Sequence, residues 1–445
     1  MRWIYAMTVA LTVSKYALAS CALPADTQQS INIVACGAST ASPDNKPFID
    51  AALAAATDHY PGIYVPPGVY LTSGGHVPPA RVGVYGTGVL KLTQTSGRPI
   101  IDTAHAGNTI SGLSFDLSAS PAASRVAVDI DGGSVGTVVS NLTIDFGRIV
   151  ALVTNGGSPP SQIDIRNNVI TSAMTGGTSG GAIGINSGTS HFSVVGNRIN
   201  GNWTGKSPVQ KAGDGAGIDV ESGSSYGQIT QNDSYANAGS GIYLLSGQYM
   251  AVSDNNCSGN RQSGIGVNSN VNPRPGRITI SGNVCSQNLF DGIDVNEAGP
   301  IKYIYVSIVG NYLASNGPPP GGGGTGINLD YAANVTIASN TIFDNAAAGI
   351  WINECQNIAV TGNIIAGNSR AGSGSYPGVL LINSSQNSFT GNISTSGVGA
   401  ATQSFGFEEH DASSDYNLYS ANNTAGNVKG GLHLLGVHDI DNGNF

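Results

Sequence analysis

Charge is what this chain of 445 residues lacks most: only 10% of its residues are Asp, Glu, Lys or Arg, and the balance is −9. Without a basic cluster, nucleic acid is disfavoured as a partner. An acidic surface also repels a polyanionic substrate unless local Lys or Arg, or a bound cation, offsets it. Aromatic residues make up 7% of the chain and Leu is sparse, which argues against a helical bundle. No uninterrupted apolar run reaches the roughly 18 residues of a membrane-spanning helix. The five cysteines show no zinc-ligand spacing. Phosphate-loop, dinucleotide and serine-nucleophile motifs are missing, so no organic cofactor is expected. Calcium could be held by Asp and Asn oxygens, although no run of alternating acids demands it.

What the chain has instead is glycine, 63 residues of it, with abundant Asn and Ser. That composition suits many short strands joined by tight turns. Residues 1–20 read as an export signal: Arg2, an apolar run from Trp3 to Val13, and the small-residue site Ala17-Leu18-Ala19. The expected location is therefore outside the cell or in the periplasm. The string Leu18-Ala19-Ser20-Cys21 also fits a lipoprotein processing site, which would anchor the chain at Cys21.

From about residue 160 an apolar residue followed three places later by Asn recurs, as in "IRNN", "VVGN", "ISGN" and "VTGN". The aligned residues are Asn168, Asn197, Asn232, Asn255, Asn283, Asn311, Asn340, Asn363, Asn392 and Asn422. A second Asn often follows five later, and then comes Gly-apolar-x-apolar, as in "GIDV", "GIYL", "GIGV" and "GIWI". Each unit holds at least two short strands and cannot bury its own apolar face. Stacking the units does bury it, giving an all-β parallel solenoid with like residues about 4.8 Å apart in ladders. Stacked Asn side chains would bond one another, and Cys257 and Cys285 should lie one above the other, bonded or as thiols. Residues 30–100 form a different opening segment, with an amphipathic helix (Phe48, Ile49, Ala52, Leu53 and Ala56 on one side) to cap the solenoid. Residues 101–445 supply the coils.

The Gly37-Ala38 start, the "PFIDAALAAA" helix and "VPPGVYL", followed by Asn-rich coils, resemble right-handed parallel β-helix proteins of the pectate-lyase and rhamnogalacturonase type. The resemblance spans nearly the whole chain after the signal. It implies the fold and an action on carbohydrate, without choosing among hydrolase, lyase, epimerase and binding protein.

In Gly-apolar-x-apolar-x the apolar residues point inward, so both x positions are expected on one outer face. The first column reads Asp219, Tyr243, Gly266, Asp294, Asn328, Trp351, Leu380 and His433; the second reads Glu221, Leu245, Asn268, Asn296, Asp330, Asn353 and Ile382. Acids, amides and large rings together suit a polysaccharide. Insertions near these strands are expected to wall a cleft and carry Lys206, Lys211, Arg274 and Lys302. Glycoside hydrolysis needs two carboxyls about 5 to 9.5 Å apart. Asp294 with Asp330, at roughly 8 Å between backbones, is the preferred pair, and Asp219 with Glu221, at roughly 7 Å, is the other candidate. Tyr243, Trp351, Asn268, Asn296, Asn328 and Asn353 would line subsites. A lyase or uronate C5-epimerase would instead use Lys211, Arg274 or Lys302 against a carboxylate. The string "FGFEEHD" (405–411) is similar to the Tyr-Gly-Phe-Asp-Pro-His-acid motif of mannuronan C5-epimerases, which would give Glu408 and His410 its acid and histidine roles. Phe405 stands in place of its Tyr and Glu409 in place of its Pro. A non-catalytic carbohydrate-binding or adhesion solenoid is the remaining reading, and the oligomeric state is left open.

Overall fold

The structure, a computed structural model, describes residues 21–56, 60–93, 98–120, 125–153, 156–173, 180–201, 215–221, 223–269, 276–297, 302–317, 324–397 and 402–445. Its repeating coil carries three short strands. In one coil these are Gly276–Ser281, Val284–Ser286 and Ile293–Glu297. Among the described residues every strand pairing is parallel, and each strand pairs with its counterpart one coil away, so the coils stack into three sheets. The first has sixteen strands and the third thirteen, while the second divides into runs of seven and five. Single bridges through Asn256 join those two runs.

Inward-facing side chains make the core. In the third sheet Ile183, Ile218, Ile242, Ile265, Ile293, Ile327 and Ile350 stand in register and are fully buried. Each removes its methyl groups from water because an aliphatic neighbour, Ile or Val, lies above and below. Cys257 and Cys285 occupy one such column as buried thiols, with no bond between them.

The Asn residues hold the first corner. Asn283 donates its backbone N–H (2.9 Å) and its side-chain Nδ2 (3.0 Å) to Oδ1 of Asn311. Asn311 repeats both bonds to Asn340. The pattern runs from Asn168 to Asn444. The residue before each of the ten aligned Asn has φ between 52° and 67°, and at five of them it is Gly, which explains the recurring Gly-Asn pair. A second ladder, from Asn237 through Asn368 to Gln403, holds the next corner. It also accounts for the Gly that opens each third strand: a Cβ on Gly264 would stand 2.9 Å from Nδ2 of Asn288 and 2.7 Å from the Gly292 carbonyl.

The helix is found where the sequence puts it, as Lys46–Ala55, with Pro47 in its first turn. Ile49, Ala52 and Leu53 are buried against the first strands, so the helix closes the open end of the core. Cys21 is bonded to Cys36 beneath this cap, a pairing that sequence spacing did not specify. Among the described residues no helix is long and apolar enough to cross a membrane.

Candidate active site

The third sheet carries the expected columns in the expected register. Asp219 pairs with Tyr243, Tyr243 with Gly266, Gly266 with Asp294, Asp294 with Asn328, and Asn328 with Trp351. In the second column Asn268 pairs with Asn296, Asn296 with Asp330, and Asp330 with Asn353.

Asp294 and Asp330 come together through one amide. Asn328 Nδ2 donates to Asp294 Oδ1 at 3.0 Å and to Asp330 Oδ2 at 2.9 Å. Two bonds of that length to one nitrogen hold the nearest carboxylate oxygens within about 6 Å of each other. The other oxygen of Asp330 accepts from Asn353 Nδ2 at 2.9 Å. Asp291, at the entry to the same strand, is engaged by the backbone N–H and hydroxyl of Thr325 at 2.8 and 2.7 Å. Burial first, then the charges of Asp291 and Asp330, push the Asp294 carboxyl up to about 7, against the pull of the Asn328 bond. A carboxylic acid thus gives up its proton only near neutral pH, beside a second carboxyl group.

Tyr243 extends the site toward the preceding coils. A Cβ on Gly266 would meet its ring at 3.0 Å, so the missing side chain is what lets the ring lie across that coil toward Asp294. The phenol is held well above its ordinary range by burial and by Asp219, Glu221 and Asp294, and it therefore remains a proton donor. Contrary to the expectation of a fully solvent-facing column, Asp219 is 0% exposed and Tyr243 only 4%. Gly180 and Gly181 pack over Asp219, and Arg148 reaches the same place. The Arg148 guanidinium is desolvated there and faces both Asp129 and Asp219. Trp351, Asn268, Asn296, Asn328 and Asn353 are half-buried on this face, as a lining requires.

Arg148, Asp129 and Asp102 lie on coils that precede the Gly-apolar-x-apolar repeat and join the same face. Asp102 and Asp129 stack in register, and both carboxyls are raised, to about 6 and about 7, by burial and by neighbouring acids. Asp129 carried a signal in the apolar-x-apolar string "VDI", whereas Asp102 is followed by Thr103 and carried none; the opening Gly is absent because these coils precede the second Asn ladder that makes Gly necessary. The basic candidates fare differently. Lys206, Lys211 and Arg274 lie outside the described residues, as do most of the insertions expected to wall a cleft, and so does the side chain of Lys302.

In the "FGFEEHD" stretch Glu408 faces outward beside Leu380 and His433 and accepts from Ser404 Oγ at 3.1 Å, and His410 is exposed. Glu409 is fully buried, bonded to Asn417, Tyr419 and the backbone of Leu435 and Gly436, which is a structural role. Among the described residues no group of three or more His, Cys, Asp and Glu is placed to hold a metal ion.

Solved structures with this architecture share little sequence with the chain. The A-module of the mannuronan C-5 epimerase AlgE6 of Azotobacter vinelandii superposes with a TM-score of 0.54 at 16% identity, over 93% of this chain and 98% of that one. The N-terminal fragment of bacteriophage Phi29 gene product 12 gives 0.57 at 14% identity, over 92% and 71%. The catalytic unit of a GH87 α-1,3-glucanase from Streptomyces thermodiastaticus gives 0.50 at 15%, over 93% and 71%. No curated protein matches the sequence. Identities this low speak to fold alone. Residues 126–300 and 273–425, well over half of the chain, match the family described as a right handed beta helix region. With its parallel coils, its three sheets and that match, the chain is a member of the right-handed parallel β-helix family.

Proposed function

We propose that the chain is an exported enzyme that cleaves glycosidic bonds of a polysaccharide by hydrolysis, on the outer face of the third sheet. The observation that carries this is the Asn328 amide, which joins a protonated Asp294 to Asp330. Asp294 is the general acid that protonates the leaving oxygen, and Asp330 is the second carboxylate. An oxygen separation within about 6 Å lies nearer the roughly 5–5.5 Å of retaining enzymes than the wider gap that admits a water, so Asp330 is assigned as nucleophile. Trp351, with the amides of Asn268, Asn296 and Asn353, supplies the polar and aromatic lining that orients sugar rings, and Tyr243, almost wholly buried, stands beneath it. Axial and equatorial products are distinguished by following the first minutes of digestion by proton NMR. Retention of configuration, abolished in Asp330→Asn, is the expected result; inversion, or full activity in both Asp294→Asn and Asp330→Asn, removes the assignment.

One observation favours a second reading, a lyase or uronate C5-epimerase. Tyr243 is a buried proton donor between acids, with Arg148 one carboxylate away. Elimination would leave an unsaturated uronate with its own ultraviolet absorbance and epimerisation would alter configuration at constant chain length, whereas hydrolysis creates reducing ends without either change. A purely binding protein would retain a glycan and form none of these products.

A further inference from the structure

Around the corner from the carboxylate pair, where the second sheet turns toward the third, the described residues line an open pocket of about 350 Å³. Its floor is apolar: Phe343, Ile364 and Ala366 come from successive strands of the second sheet. Ile364 is 47% exposed, and the Phe343 ring is propped edge-on by Tyr312 at 5.1 Å. One wall is an ion pair, Arg370 Nη1 to Asp344 Oδ1 at 3.1 Å. The same two residues also line a neighbouring cavity of about 190 Å³, so the pair stands as a partition between the two spaces. Thr402 lines the larger cavity, and its buried hydroxyl has no hydrogen-bond partner in the protein.

These groups select a ligand class. A purely apolar ligand would cover the half-exposed Asp344 and Arg370 side chains and strip them of water without replacing its hydrogen bonds, which is unfavourable. An anion would meet Asp344 as well as Arg370 on a protein of net charge −9. A neutral pyranose suits both: its C–H face lies on an aromatic and aliphatic floor, and its hydroxyls bond the Asp344 carboxylate and the Arg370 guanidinium. The volume falls at the small end of ligand sites, enough for a short stretch of chain. We propose that this corner is a second carbohydrate-binding site, taking a neutral sugar residue of a glycan and separate from the carboxylate pair. The proposal rests on the reading that the protein handles a polysaccharide. It places an anchor for the polymer away from the bond being broken.

The test uses the full chain carrying Asp294→Asn and Asp330→Asn, so that no glycan is consumed. It is run through affinity gels containing laminarin, dextran, xyloglucan or galactomannan, with alginate as the anionic comparison. Phe343→Ala and Arg370→Ala are then added separately, with circular dichroism to establish that each variant is folded. Arg370 is well exposed, so its variant keeps the fold if Phe343→Ala does not. At least tenfold weaker retention on a neutral glycan in Arg370→Ala, with unchanged turnover of short oligosaccharides when the two carboxylates are restored, is the expected outcome. Unchanged retention in a folded Arg370→Ala protein, or a parent retained by alginate alone or by no glycan, overturns the proposal. If retention depends on Arg370 but no glycan is processed, the hydrolase assignment falls and this site stands. If glycans are processed and retention ignores Arg370, the reverse holds.

Discussion

Replacing Asp294 by Asn separates a working acid from a merely wet acidic face, because the two differ in how stability responds to pH. The substitution keeps an oxygen for the Asn328 bond and removes only the ability to ionise. In the folded protein this carboxyl titrates near 7, against 3.8 for an ordinary Asp. Below pH 3.8 it is neutral in both folded and unfolded chains and favours neither. Between 3.8 and 7 the unfolded chain ionises while the folded one holds its proton, so the wild-type protein loses stability as pH rises, and above 7 the loss is complete. At about 1.4 kcal/mol per pKa unit the loss is a few kcal/mol at most. In a chain of this length that amounts to a few degrees of melting temperature, by extrapolation from the roughly 2–4 °C per kcal/mol of mid-sized domains. Thermal melts of both proteins from pH 4 to pH 8 should therefore diverge, with Asp294→Asn matching wild type at the acid end and exceeding it at the alkaline end. Activity should move the other way, down by about 10²–10⁴-fold, and recover on substrates whose leaving group needs no proton. Parallel melting curves across that range would refute the claim that Asp294 is held protonated, and with it the acid assignment.

Three further outcomes follow from the geometry. Asn311→Ala removes the acceptor for two Asn283 donors and the donor to the Ile280 carbonyl, so urea denaturation should show a loss of roughly 3–5 kcal/mol; a loss under about 1 kcal/mol would mean the ladder contributes little. Gly266→Ala places a methyl against the Tyr243 ring and should lower turnover several-fold while changing stability by less than about 2 kcal/mol, and unchanged kinetics would remove Tyr243 from the site. Thiol titration in denaturant should find three free thiols before reduction and five after, since Cys21 is bonded to Cys36 while Cys257, Cys285 and Cys355 are not; a count of four in a lipid-modified chain would instead point to anchoring at Cys21.

The coil was legible in the sequence because its two chief constraints leave a mark on every turn. A buried amide must meet an identical amide, and a strand that passes close to one must begin with Gly, so Asn and Gly recur in fixed places. The short second strand was harder to see, since three residues such as Val284–Ser286 give no alternation to count. The pairing of Asp294 with Asp330 followed from register alone, but the Asn328 amide that joins them did not. Burial of Asp219 and Tyr243 was also hidden. Alternation says which way a side chain points, and only the packing of remote segments such as Gly180–Gly181 says what covers it. Arg148 escaped because its coil precedes the repeating glycines.

An Asn in the ladder needs only another Asn above and another below, whatever its place in the series. The scaffold is therefore indifferent to the number of its turns: a whole coil can be gained or lost by duplication or deletion in the gene, and the amides on either side simply meet new, equivalent neighbours. The carboxylate pair has no such freedom, since it exists at the single junction where Asp294 faces Asn328. Evolution can lengthen or shorten the sheet on either side of that junction one turn at a time, leaving the two carboxylates and the amide between them unchanged.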